Sequence, residues 1–115
     1  MFTIYDLIQN LPAYVVHADE DSLHSEITAI VAADLMSDVL VSVDAPCVLV
    51  TSLASEQVIR TCDISGIQTI LLVNDKLPSP AMKALAEEIG ITLLATPLPM
   101  YEACVNIHLL KTFAD

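Results

Sequence analysis

Polar side chains that could bind a small ligand follow several apolar runs of this 115-residue chain. Each run has the length of a buried strand, and open α/β sheets bind ligands just beyond the carboxyl ends of their strands. We therefore expect these side chains to meet on one rim of a sheet. The residues are Asp34, Ser37, Asp38, Ser52, Asn74, Lys76 and Thr96. Helix caps and turns use the same residue types, so the alternative is a structural role.

Metal binding is the second kind of chemistry that the residue types allow. The densest set of metal-ligand side chains lies between residues 17 and 26. Its spacing matches no known metal motif, and a solvated acidic loop is the simpler interpretation. The set consists of His17, Asp19, Glu20, Asp21, His24 and Glu26. We predict no metal and no other cofactor.

The three cysteines have neither the number nor the spacing of a metal or iron–sulfur site. Cys47, Cys62 and Cys104 are 15 and 42 residues apart, unlike any cluster signature. Their odd number and apolar neighbours favour reduced, buried thiols, which predicts a cytoplasmic protein.

Catalysis has no recognisable motif in this chain. Gly66 and Gly90 are the two glycines, so neither a phosphate-binding loop nor a dinucleotide fingerprint can be built. A nucleophile–base pair would have to join a Ser or Cys to His17, His24 or His108, and no motif places one. The sequence predicts a protein that is not an enzyme.

Charge and hydrophobicity narrow the class of partner. The chain has 15 acids and 4 bases, a net charge of −11, which argues against nucleic acid and anionic membranes. The hydrophobic fraction of 55% predicts buried strands and a face kept dry by a second subunit. The first residues lack the basic segment of a secretion signal, and no apolar run approaches the roughly 18 residues of a membrane span.

The segment from Pro46 to Thr96 is predicted to position the rim. It has the pattern strand, helix, strand, helix, strand, at 47–51, 55–66, 67–73, 79–90 and 91–96. Ser79 and Pro80 are a typical helix start. Gly66 and Gly90 each stand between a helix and a strand, which predicts left-handed helix caps.

The flanking segments complete the predicted fold. We expect a helix at 3–11 with a capping box of Thr3 and Asp6. Strands at 13–17 and 26–33 could pair as a hairpin-like unit, and a short helix capped by Asp34 or Ser37 and a connection at 41–45 follow them. The last element is a helix at 100–113, with Met100, Ala103, Cys104 and Ile107 on one face. The chain is predicted to be a single α/β domain over 1–115. Its layered sheet of about five strands is mostly parallel or mixed and is flanked by helices.

Four segments resemble the DRTGG domain family, and more narrowly its small free-standing members. They are Asp34–Leu40, Val58–Thr61, Pro78–Pro80 and Met100–Cys104, and the resemblance covers nearly the whole chain. It implies an α/β fold similar to the N-terminal domain of HPr kinase/phosphorylase and a tendency to dimerise. It also implies no catalytic activity of the domain itself. Relatives are regulatory modules of phosphotransacetylases and CBS-containing pyrophosphatases, and free-standing members often lie beside iron-only hydrogenase genes.

The chain departs from the residues that give this family its name. Leu53-Ala54-Ser55 stands where the family carries Asp-Arg-Thr, and Asn74-Asp75 stands where it carries Gly-Gly. The missing Arg removes a bidentate anion donor, and Asp75 adds a negative charge. An anionic ligand would therefore meet a poorer site here, with Lys76 as the nearby base.

Three functions follow as hypotheses. The first is a non-catalytic regulatory or protein-interaction module that acts as a homodimer. The second is a sensor of a small ligand, a nucleotide or an acyl phosphate, bound at the predicted rim. The third is an accessory protein of iron-only hydrogenase or redox metabolism that uses Cys104 or a metal.

Overall fold

The computed structural model describes residues 1–40 and 46–114, so the predicted connection at 41–45 lies outside the described ranges. Along these residues the chain forms β1 (Phe2–Thr3), α1 (Ile4–Asn10), β2 (Tyr14–His17), a 3-10 helix (Glu20–His24), β3 (Glu26–Ile27), β4 (Ala29–Ala32), α2 (Met36–Val39), β5 (Cys47–Thr51), α3 (Glu56–Ser65), β6 (Thr69–Leu72), α4 (Pro80–Ile89), β7 (Thr92–Ala95) and α5 (Met100–Ala114).

A mixed five-stranded sheet organises these elements, as the sequence predicts. Its strand order is β2-β7-β6-β5-β4. Strands β4 to β7 run parallel to one another, and β2 pairs antiparallel with β7 at one edge. A separate antiparallel pair joins β1 to β3.

The three central strands are buried on both faces. Every residue of β5, β6 and β7 is buried, and nearly all of them are apolar. Continuous apolar runs are typical of strands that helices cover on both sides, because neither set of alternating side chains then meets water. This explains why the sequence shows these strands as unbroken hydrophobic segments.

Two hydrophobic cores lie on the two faces of the sheet. On one face, α2, α3 and α4 pack through residues such as Val39, Ile59 and Met82. On the other, α1 and α5 pack through Leu7 and Ile107, together with the β1–β3 pair. The outcome is a layered α/β domain.

Local signals at the helix ends work as the sequence predicts. Thr3 and Asp6 form the capping box, with Thr3 N–H donating to Asp6 Oδ2 at 2.9 Å and Asp6 N–H donating to Thr3 Oγ1 at 3.1 Å. Met82 N–H donates to the Ser79 hydroxyl oxygen at 3.0 Å at the start of α4. Gly66 and Gly90 have φ of 80° and 89°, the left-handed conformation that ends α3 and α4.

The predicted hairpin between the segments at 13–17 and 26–33 is wrong. Strand β2 pairs with β7, whereas β4 pairs with β5 at the other edge of the sheet. Between the two strands, the 3-10 helix and β3, which pairs with β1, carry the chain from one edge of the sheet to the other, so no tight hairpin turn joins them.

The segment at 26–33 is also two strands where the sequence predicts one. Glu26 and Ile27 pair with β1, and the chain then changes sheets at Thr28. The N–H and hydroxyl of Thr28 both donate to the Pro46 carbonyl oxygen, at 2.9 and 3.3 Å. These bonds hold the crossing point beside the start of β5.

Across residues 1–40 and 46–114, no helix has the length and hydrophobicity that a membrane crossing requires.

Substitution of Gly66 tests the left-handed helix cap. A Cβ at Gly66 would meet no atom within 4 Å, so Gly66→Ala adds backbone strain without a steric clash. We expect a loss of about 1 kcal/mol in the free energy of unfolding, measured by urea denaturation. Gly66→Asn is the control and should lose less, because Asn enters the left-handed region more easily. Equal stability of Gly66→Ala and the wild type would contradict this assignment.

Candidate functional site

The predicted ligand residues follow the carboxyl ends of the parallel strands. Asp34 comes two residues after β4, Ser52 directly after β5, Asn74 two residues after β6, and Thr96 directly after β7. Since these strands are parallel, the four residues lie along the same edge of the sheet. We call this edge the rim.

Asp34 links two neighbouring strands at the rim through hydrogen bonds. Its Oδ1 accepts from the Ser52 N–H at 2.7 Å and from the Thr51 hydroxyl at 3.0 Å. Its Oδ2 accepts from the Ser52 hydroxyl at 2.8 Å. The carboxylate therefore ties the end of β4 to the turn that follows β5.

These bonds explain why the predicted cap of α2 is wrong. The helix begins after Leu35, and no side chain caps it. Asp34 directs both carboxylate oxygens to the β5 turn, and Ser37 lies inside the helix, past the capping position. A tertiary contact has replaced the local one.

The pKa of Asp34 is lowered from its ordinary value. The largest cause is the hydrogen bond from the Ser52 backbone N–H, with further lowering by the hydroxyls of Ser52 and Thr51. Partial burial raises the pKa by less than the backbone bond lowers it and by more than either hydroxyl does, and the three hydrogen bonds together outweigh it. The rim thus holds a stable negative charge at this point, which disfavours an anionic ligand close to it.

Asn74 and Thr96 form hydrogen bonds that link the ends of β6 and β7 to the neighbouring loops and to α5. Asn74 Oδ1 accepts from the Met100 N–H at 3.0 Å, at the first residue of α5, and Asn74 N–H donates to the Leu98 carbonyl oxygen at 2.8 Å. The Thr96 hydroxyl donates to the Pro12 carbonyl oxygen at 3.0 Å and accepts from the Leu98 N–H at 3.3 Å. Thr96 is 1% exposed, so its hydroxyl supports the rim from beneath.

The turn after β6 has an unusual backbone. Asn74 and Asp75 both have positive φ, at 61° and 58°. Glycine adopts this region without strain, and Asn and Asp are the residues that tolerate it best among the others. The two positions where the resemblance to the family implies Gly-Gly therefore keep a glycine-like backbone with polar side chains.

The remaining predicted residues lie on the surface. Ser37, Asp38 and Lys76 are exposed. Within the described ranges, no hydrogen bond joins their side chains to another rim residue. The structure therefore brings Asp34 together with Ser52, and Asn74 with Thr96 through the Leu98 backbone, and it leaves these three side chains open to solvent.

A shallow cleft opens at the opposite end of the parallel strands from the rim. Its volume is about 140 Å³, and it lies at the amino ends of β6 and β7. Its lining comprises Cys62, Asp63, Gly66, Ile67, Gln68, Ile89, Gly90 and Ile91. No predicted ligand residue lines this cleft. The sequence signal for it was the pair of glycine helix caps, which bring the ends of α3 and α4 side by side.

The acidic segment at 17–26 has other contacts. His17 Nε2 lies 4.0 Å from Asp19 Oδ1, and the His24 ring stacks on Tyr5 with 6.3 Å between ring centroids. In the part of the chain that the structure describes, no three His, Cys, Asp or Glu side chains gather as a metal site would require.

The cysteines are free thiols. Burial raises the pKa of each of them, and that of Cys62 reaches about 12, with a smaller contribution from the nearby Cys47. A raised pKa keeps a thiol protonated, and the thiolate is the nucleophile and metal ligand. The three side chains are therefore poorly suited to redox or covalent chemistry.

Helix α5 has an apolar outward face that the sequence analysis did not identify. The predicted inward face is present, with Ala103 and Ile107 buried. Four further apolar side chains point away from the sheet: Tyr101, Val105, Leu109 and Phe113. We call these four the outer stripe. Their regular spacing of four residues was the available signal.

Comparison with known proteins identifies a family and a similar solved structure. The family model of the DRTGG domain matches residues 6–110. The chain is also similar to the crystal structure of the CBS and DRTGG domains of the regulatory region of Clostridium perfringens pyrophosphatase, complexed with its activator, diadenosine tetraphosphate. The TM-score is 0.70 at 16% identity, over 95% of this chain and 46% of the other. This chain thus spans about half the length of that region. Curated proteins give no match.

The pH dependence of stability tests the Asp34 contacts. Because the folded-state pKa of Asp34 is depressed, its stabilising contribution is present above the unfolded-state value of about 3.9 and is lost as the pH falls through the folded-state value. We expect Asp34→Asn to destabilise the protein at neutral pH and the difference from wild type to narrow in acid. Asp38→Asn, a control without these bonds, should change stability less. A difference between Asp34→Asn and wild type that stays constant from neutral to acid pH would contradict the assignment.

Proposed function

Because the chain belongs to the DRTGG domain family, we propose that it is a non-catalytic regulatory or protein-interaction module that acts as a homodimer. The observation that carries this proposal is the exposed apolar row on the outward side of α5, opposite its buried face. Helix α5 also carries polar residues such as Glu102, Asn106 and Lys111, but a contiguous apolar row exposed to water is uncommon on a protein without a partner, and the outer stripe is exposed in the single chain. A protein partner that covers the stripe resolves this conflict.

The chemistry of the rim and of the thiols supports a role without catalysis. Both oxygens of Asp34 accept hydrogen bonds, and the Thr96 hydroxyl is occupied by two partners. The cysteine thiols have raised pKa values. Groups held in this way serve the fold and are not free to transfer protons or attack a substrate. Three free cysteines also favour the reducing environment of the cytoplasm.

Sedimentation velocity tests the homodimer. At micromolar concentration we expect a species of twice the 12.4 kDa monomer mass. Dimer formation should persist at high salt, because apolar contacts are not screened by ions. A single monomeric species over the whole concentration range would contradict the proposal.

A sensor of a nucleotide or an acyl phosphate is the second candidate. The observation that favours it is the similar structure, which holds diadenosine tetraphosphate in a regulatory region that also contains CBS domains. In this chain the ligand would bind at the rim. Lys76 would meet a phosphate, and the side-chain amide of Asn74 would donate a hydrogen bond. Ser52, whose N–H and hydroxyl both donate to Asp34, would border the site together with Asp34, Ser37 and Asp38, above the buried Thr96. The carboxylates oppose an anionic ligand, which makes Lys76 decisive for this candidate.

A thermal-shift panel of diadenosine tetraphosphate, ATP, AMP and acetyl phosphate tests the sensor. A ligand at 100 times its dissociation constant adds about 2.7 kcal/mol to stability, which gives a clear rise in melting temperature. We expect Lys76→Glu to abolish the shift and Lys83→Glu, an exposed lysine of α4, to retain it. No shift with any member of the panel, or an equal shift in Lys76→Glu, would reject binding at the rim.

The redox alternative receives little support from the contacts. Cys104 is half-buried against the core that α1 and α5 share, and burial raises the pKa of its thiol. A redox-active cysteine needs an accessible thiolate. An accessory role in hydrogenase or redox metabolism would therefore have to proceed through docking and not through thiol chemistry.

A further inference from the structure

We propose that the outer stripe of α5 is the surface on which a second copy of this chain docks, with the two α5 helices antiparallel across a twofold axis. This inference deepens the proposed homodimer and rests on it. It assigns the residues of the interface and the orientation of the two subunits.

The outer stripe is a continuous ridge on one side of the helix. Residues four apart lie next to each other along an α-helix, so Tyr101, Val105, Leu109 and Phe113 form one row. Their exposed fractions are 76%, 38%, 45% and 84%. Ala103 and Ile107, on the opposite side of α5, are fully buried against the sheet. The stripe therefore points directly away from the core.

The size of the stripe suits a protein interface. Single exposed apolar residues are ordinary, but a contiguous apolar row usually marks an interaction site. An aromatic side chain buries about 150–250 Å². Two copies would contribute four aromatic rings, a large share of the roughly 1,200–2,000 Å² that a stable interface covers.

The distribution of charge favours a second copy as the occupant. The chain carries a net charge of −11, so two copies repel each other across most of their surface. Helix α5 is an exception, because its one acid, Glu102, is balanced by its one base, Lys111. The stripe itself is uncharged. A basic partner protein would gain more by binding elsewhere on this acidic chain, whereas a second copy meets the least repulsion here.

The order of residues along the stripe is self-complementary. It runs aromatic, aliphatic, aliphatic, aromatic from Tyr101 to Phe113. In an antiparallel pair, Tyr101 packs against Phe113 of the second copy and Val105 packs against Leu109. Both pairs have their midpoint at residue 107, so one twofold axis satisfies all the contacts. Rows of residues four apart are also the ridges that most commonly interlock between helices.

Matched double substitutions test the surface. Tyr101→Glu with Phe113→Glu adds two charges to the stripe at highly exposed positions, so the monomer fold should persist. Ile64→Glu with Leu77→Glu is the control, since these residues are 78% and 74% exposed and lie outside α5. We expect the stripe variant to weaken dimerisation about 100-fold or more, measured by sedimentation equilibrium, because interface aromatics dominate binding energies. The control should change it by less than about threefold, as expected of sites outside the interface.

The outcomes separate this inference from the proposed function. A wild-type protein that stays monomeric overturns both. A wild-type dimer that survives the stripe substitutions overturns the α5 interface and leaves the proposed homodimer standing. Equal weakening by both double variants would show a general charge effect and would also overturn the α5 interface. Circular dichroism and thermal unfolding check that each variant is folded.

A complementary pair of variants tests the antiparallel orientation. Tyr101→Lys and Phe113→Glu should each weaken self-association when studied alone. Mixed together, they should form a heterodimer in preference to either homodimer, because the antiparallel arrangement pairs the new Lys with the new Glu and keeps one native contact. A parallel arrangement would place residue 101 against residue 101, so this mixture would escape like-charge repulsion but form no Lys–Glu pair. A parallel pair would instead favour the heterodimer of Tyr101→Lys with Tyr101→Glu, in which the antiparallel pair forms no Lys–Glu contact. Absence of heterodimer preference in the first mixture, or a stronger preference in the mixture of Tyr101→Lys with Tyr101→Glu, would overturn the antiparallel geometry.

Discussion

The central constraint on this molecule is that three strands of its sheet are buried on both faces. Strands β5, β6 and β7 expose almost nothing to water, so both faces must be covered by helices supplied by a chain of only 115 residues. Helices α2, α3 and α4 cover one face, and α1 and α5 cover the other. The crossovers between parallel strands provide the first three helices, which leaves the last helix as the main cover of the second face. An inward apolar face on α5 follows from this constraint, whereas an outward one does not.

The polar residues at the carboxyl ends of the strands mainly stabilise the contacts between the sheet and its loops. Asp34 joins β4 to the turn after β5, Asn74 caps the first turn of α5, and Thr96 anchors the chain near Pro12. Their hydrogen bonds fix the loops on which the helices depend. A ligand at this rim would have to use the remaining donors and the exposed Lys76 while leaving those bonds intact. Residues that already serve the fold through these bonds are poor ligand-binding groups. Only the outermost side chains, Ser37, Asp38 and Lys76, remain open to a ligand.

Much of the fold was predictable because its signals are local. The capping box of Thr3 and Asp6, the Ser79–Pro80 start of α4 and the glycine caps at Gly66 and Gly90 act within a few residues of themselves. The strand pairing of β2 was not predictable, because β7 lies about 80 residues away and nothing near β2 encodes that choice. Asp34 failed as a cap for a similar reason: its partners, Thr51 and Ser52, come from another part of the chain. Along α5, the inward periodicity was clear, but the spacing of the outward residues gained meaning only once their exposure was known.

In the proposed dimer, the uncharged outer stripe of α5 joins two copies of an otherwise acidic chain. Nuclear Overhauser contacts filtered for mixed pairs, in a dimer of one ¹³C-labelled and one unlabelled copy, measure this directly. The antiparallel α5 interface predicts contacts between the Tyr101 ring of one copy and the Phe113 ring of the other. Contacts between copies that arise only from the edge strand β2 or from helices α2 to α4 would contradict it.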